Sequence, residues 1–66
     1  MTLTPRQRQV ARLIAEGHTN AHIGSVLGIS ADAVKGYVSI LVRKVAPGHT
    51  IPARRAITRW VLAGER

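Results

Sequence analysis

Sixty-six residues make a single domain over positions 1–66, with one small core that buries only about 60% of the surface of the unfolded chain. No cysteine is present, so disulfides and thiolate metal sites are excluded, which fits a cytoplasmic protein. No apolar run approaches a membrane span, and the N-terminus is not a signal peptide. Ten Lys and Arg against three acidic residues leave a net charge of +7, which makes a polyanion the first partner to consider. The basic residues form no stripe opposite a broad apolar face, as a membrane-surface helix requires. With only Tyr37 and Trp60 as aromatics, the chain is also poorly equipped to stack single-stranded bases.

The pattern predicts an all-α chain of four helices. Thr4-Pro5-Arg6-Gln7 starts the first, over about 5–16: Thr4 caps, Pro5 takes the first helical position, and Gln7 completes a capping box. Val10, Leu13 and Ile14 supply its buried face. Arg6, Arg8, Gln9, Arg12 and Glu16 take the remainder as a solvated face, and Gly17 ends the helix. His18 and His22 stand four apart, a metal-pair spacing only if both lie on one continuous helix. The break at Gly17 and Asn20 argues instead for surface or packing histidines, with no metal and no cofactor.

A second helix is expected over about 21–27 with Asn20 as its cap, and a third over about 31–45 capped by Ser30. Ile23, Val26 and Leu27 share one face of the second; Val34, Val38, Leu41, Val42 and Val45 share one face of the third. Asp32 suits the positive end of the third helix. Gly28 fits a left-handed turn between the two. Gly24 removes a side chain where the two helices are expected to cross, so leucine should not fit there, whereas alanine should be mild or stabilising. Two short helices joined at such a turn form a helix-turn-helix. After Val45 the chain should leave the helix at Ala46, with Pro47-Gly48 in a type II turn. Pro52 opens a fourth helix, about 52–63, stopped at Gly64. Ala53, Ile57, Trp60 and Val61 lie on its apolar face and Arg54, Arg55 and Arg59 face outward. Ile57, Trp60 and Val61 thus form a packing face over the first helix, and any remainder is a candidate for a weak homodimer contact assisted by DNA.

The outward face of the third helix carries Lys35, Gly36, Ser39 and Arg43, with Lys44 alongside. A helix fits the DNA major groove, and its N-terminal half meets the base edges. Lys35, Gly36 and Ser39 are therefore base-reading candidates: a donor to guanine, a position that permits close approach, and a hydroxyl that donates or accepts. Arg43 and Lys44, one to two turns later, are phosphate candidates, as are Thr19, Asn20 and Ser30 at the helix starts.

Leu3–Val10 (LTPRQRQV), Leu13–Gly17 (LIAEG), Thr19–Gly24 (TN..IG), Leu27–Ser30 (LGIS), Val34–Ser39 (VK..VS) and Arg43–Lys44 follow one another in order. In these segments the chain resembles the LuxR-type, or GerE-like, DNA-binding domain of bacterial transcription regulators. The resemblance implies a four-helix domain whose third helix reads the major groove and whose fourth often mediates dimerisation. It covers nearly the whole chain and is looser in the last third. Departures are Ala21, where the family usually has a basic residue, and Ala33, where it has threonine. Tyr37 stands at a common histidine, and Ile40 where a polar residue is usual. Ile40 either faces a thymine methyl or packs against another protein. The segment 46–52 is one residue shorter than the familiar loop.

The leading expectation is sequence-specific binding of double-stranded DNA in transcription regulation. A promoter-binding domain like the fourth region of a sigma factor shares the Leu-Thr-Pro start but needs an arginine-rich recognition helix. The alternative from another class is a small protein-interaction module on the same fold, binding transcription machinery or another regulator; Ala21, Ala33 and Ile40 keep it open. An enzyme is the least expected, with no clustered acid pair and no triad. Met1, three residues before the first cap, fits either a free-standing domain controlled by abundance or a partner, or a piece of a larger regulator.

Overall fold

The computed structural model describes residues 3–65. It holds four helices and, among the described residues, no strand: α1 (Pro5–Ala15), α2 (Asn20–Leu27), α3 (Ala31–Val45) and α4 (Ala53–Leu62). The all-α, four-helix expectation holds, with ends within a residue of those read from the sequence. No single helix among the described residues is long and apolar enough to cross a membrane.

Local chemistry sets most of the ends. The Thr4 hydroxyl accepts from the Gln7 amide, and Gln7 Oε1 accepts from the Thr4 amide, both at 3.0 Å, closing the expected capping box. At the other end of α1, the Gly17 amide donates to Ile14 and the His18 amide to Leu13, the paired bonds of a Schellman cap. The cap of α2 corrects the sequence reading. Thr19, not Asn20, holds the extended conformation, and its hydroxyl accepts from the His22 amide at 3.1 Å; Asn20 is the first helical residue. Ser30 caps α3 by accepting from the Ala33 amide. Pro47 and Gly48 form the type II turn, with Gly48 at φ 74° and the His49 amide donating to the Ala46 carbonyl. Pro52 flanks α4 without a side-chain cap.

The chain turns through 104° between α2 and α3, within the helix-turn-helix range. Gly28 makes the turn at φ 73°, and the Ile29 amide donates back to the Gly24 carbonyl at 2.9 Å. A Cβ on Gly24 would stand 2.5 Å from the Ile29 carbonyl oxygen and within 3.3 Å of the Ser30 backbone. The close neighbour of Gly24 is thus the backbone of the turn, not a side chain of α3, and it cannot rotate away. The geometry therefore predicts that alanine strains the turn, the reverse of the sequence expectation. Val26 also departs: it is 54% exposed, and α2 buries Ile23 and Gly24 with Leu27 half-buried.

The core is Leu3, just before α1, with Val10, Ala11, Ile14, Ile23, Val34, Val38, Leu41, Val42, Ala56, Ile57 and Trp60 from the four helices. Full burial of an Ile or Val is worth roughly 1.5–3 kcal/mol, so Ile23, Leu41 and Ile57 weigh heavily in so small a domain. α4 lies against α1 and α3. Its ends are tied by charge. Arg54, expected to face outward, instead donates to Asn20 Oδ1 at 2.6 Å and to the His18 carbonyl, linking α4 to the start of α2. Past a second Schellman cap at Gly64, Glu65 accepts from Arg8 at 2.6 Å and Arg12 at 3.1 Å. Arg8 and Arg12 are therefore part of a clamp between α1 and the end of α4 rather than a purely solvated face.

Two stability predictions follow from these contacts. Gly24→Ala should lower the melting temperature, since overpacking against backbone costs about 1–3 kcal/mol; an unchanged thermal or urea midpoint would refute the close approach. The hydrogen bond from Arg8, assisted by Arg12 and opposed by partial burial, holds the Glu65 carboxyl below its ordinary pKa. The folded state thus favours the carboxylate. Its contribution is fully present above the unfolded glutamate pKa and is lost as pH falls through the lower folded value. Glu65→Gln should lower stability near neutral pH, with the difference from wild type shrinking as pH falls through the folded carboxyl pKa, so that the acid side of the stability–pH curve flattens, as followed by urea melts from pH 7 to pH 3.

Candidate nucleic-acid interface

The outward face of α3 is built by default from what its core face leaves over. Val34, Val38, Leu41 and Val42 are buried at helical spacing. Lys35, Gly36, Ser39, Ile40 and Arg43 are exposed, as is Asp32 in the first turn. The three base-reading candidates, Lys35, Gly36 and Ser39, thus lie together within one exposed arc. Arg43 continues that arc toward the C-terminal end, and among the described residues it makes no ion pair.

Lys44 differs from the expectation for a purely outward cation. Its Nζ lies 3.3 Å from Gln7 Oε1, the oxygen that also receives the Thr4 amide, so it joins α3 to the start of α1. This bond ties the side chain to one direction.

The other phosphate candidates sit at helix starts. The Thr19 and Ser30 hydroxyl oxygens are engaged as caps, and each hydroxyl proton is left to donate. Asn20 is fixed by Arg54. A guanidinium can only donate, so Asn20 Oδ1 turns toward it and the Nδ2 amide group is left to donate elsewhere. Gly17, His18, Thr19, Asn20 and Arg54 line one open cleft beside this helix start. Sequence reasoning missed Arg54 here. Asn20 and Arg54 are 34 positions apart, and nothing local to either marks the other.

His18 and His22 do not lie on one helix. Their rings stack with centroids 4.5 Å apart, and His18 Nε2 approaches Glu16 Oε1 at 3.3 Å. Among the described residues no group of three or more metal-ligating side chains comes together. On α4, Ile57 and Trp60 are buried in the core and Val61 is half-buried, so the face named for packing or dimerisation is chiefly a packing face. Leu62, at 77% exposure, is the apolar residue left over at its end.

Comparison with known proteins gives this arrangement its family. The profile described as "Bacterial regulatory proteins, luxR family" (GerE) matches residues 1–49, which take in α1, the helix-turn-helix and all of α3. The two-component response regulator PprB of Pseudomonas aeruginosa is 51% identical to the chain over 41 residues, which are 62% of this chain and 15% of that protein. The chain therefore spans only a small part of the length of that curated relative. No solved structure matches. Four helices, the 104° turn at Gly28 and the profile match across both helices of the motif agree: the chain belongs to the luxR family of bacterial regulatory proteins, whose helix-turn-helix domains bind DNA in transcription regulation.

Proposed function

We propose that this domain binds a specific duplex sequence, with α3 lying in the major groove, and regulates transcription from that site. The observation that carries the reading is the exposed polar and cationic arc of α3 backed by a buried apolar one, so that a single rigid helix presents Lys35, Gly36, Ser39 and Arg43 together. Lys35 donates to guanine acceptors and Ser39 to a neighbouring base edge. Arg43 and Lys44 meet phosphates as the helix leaves the groove floor, and Thr19, Asn20 and Ser30 hold the backbone at the helix starts. Ala21 and Ala33 supply no side-chain donor, so the grip rests on this smaller set.

The deciding experiment is a gel shift against random and then selected duplexes over a salt series. Lys35→Ala should cost about 1–3 kcal/mol on the preferred site and relax one or two base pairs. Arg43→Ala should weaken all duplexes about equally and reduce the salt slope by roughly one unit. If the two variants behave alike, Lys35 is not reading bases. If neither matters, a protein-interaction module becomes the better reading, a role that exposed Val26 and Leu62 favour.

The same reading sets the oligomeric state. With Ile57 and Trp60 committed to the core, Val61 and Leu62 are what α4 can offer a second copy. That is far less than the roughly 800 Å² per partner of a stable interface. Sedimentation at micromolar concentration should show monomer, with two copies brought together on DNA that carries two half-sites; a tight dimer without DNA would contradict this.

A further inference from the structure

Ile40 is the one large apolar side chain that α3 leaves exposed, at 47%. It stands four residues after Gly36 and three before Arg43, so the three share the outward arc. Gly36 is equally unexplained by folding. A Cβ there would meet nothing within 4 Å, yet glycine in the middle of a helix weakens it relative to alanine. Neither residue belongs to the core. Together they put bare backbone beside one branched apolar side chain, among the exposed Lys35, Ser39 and Arg43.

One side chain is far smaller than the patch of a few hundred Å² that marks a protein-docking surface. The major groove offers an apolar group of matching size, the C5 methyl of thymine. We propose that Ile40 is a specificity-determining residue that packs against a thymine methyl, with Gly36 letting α3 come close enough for that contact. The inference rests on the reading of α3 as the groove helix. Ile40 follows Lys35 by five residues, about 7.5 Å along the helix axis. The thymine should therefore lie about two base pairs from the pair that Lys35 addresses.

The test uses the selected duplex with each thymine replaced in turn by deoxyuridine, which removes the methyl and keeps every hydrogen-bonding group. The wild-type domain should lose about fourfold in affinity at one or two positions, the worth of one buried methyl. Ile40→Ala should bind the thymine and uracil duplexes equally at those positions, with its melting temperature unchanged or slightly raised, because the site is exposed and alanine favours helix. Gly36→Ala should raise the melting temperature and weaken binding to the selected duplex. If uracil serves as well as thymine throughout, or if Ile40→Ala keeps the discrimination, the methyl contact is wrong even where Lys35→Ala still relaxes the site. If Gly36→Ala stabilises the domain without weakening binding, the close-approach role is wrong. If the domain selects no duplex at all, the groove reading fails and this inference fails with it.

Discussion

The approach of the Gly24 backbone to the turn at Ile29 and Ser30 is the constraint on which the rest of the structure depends. Two pieces of main chain meet there with no side chain between them. The Ile29 amide spends its hydrogen on the Gly24 carbonyl, and Gly28 supplies the positive φ that brings it round. Backbone is stiffer than any rotamer, so the 104° turn is fixed more firmly than packing of long side chains would fix it. Ser30 then caps α3 at the same point, and the direction of α3 is set within three residues of the turn.

What remains is to keep α3 from rolling about its own axis, and the fourth helix does this from behind. α4 packs on both α1 and α3, with Ile57 and Trp60 filling the interior. Its first turn reaches the α1–α2 connection through Arg54, and the residue beyond its last turn reaches α1 through Glu65. The basic composition consequently overstates the binding surface. Arg8, Arg12 and Arg54 are engaged within the domain, and Lys44 is shared with Gln7. A net charge of +7 favours approach to a polyanion from a distance, and on the reading proposed above the arc on α3 makes the contact.

Legibility in the sequence follows the range of each interaction. The capping box at Thr4, the cap at Ser30, the left-handed Gly28 and the Pro47-Gly48 turn each depend on residues no more than five apart, and each was readable. The cap of α2 slipped by one because Thr19 and Asn20 are both good caps, and only the backbone angles choose between them. Val26 was misplaced because eight residues make barely two turns. Such a short helix needs only a narrow buried stripe, which Ile23, Gly24 and Leu27 fill. Arg54 with Asn20 and Arg8 with Glu65 were invisible for the opposite reason: they join residues 34 and 57 positions apart, and no local pattern carries that information. In the candidate interface, the buried arc of α3 was legible from its period, and the outward residues followed by subtraction.

The two arcs of α3 answer to different demands, and this has a consequence for how such a domain changes its target. Val34, Val38, Leu41 and Val42 are held by the core, where a lost methylene leaves a cavity or strain. Lys35, Ser39, Ile40 and Arg43 alternate with them along the chain yet sit at exposed positions, where substitution away from special features moves stability by about 0.5 kcal/mol or less. On the reading proposed for α3, binding specificity is open to change one outward residue at a time without touching the fold. Gly36 marks the limit of that freedom. It is the outward residue that weakens the free helix while a Cβ there would meet no neighbour, which is the combination that the proposed close approach to a groove would explain.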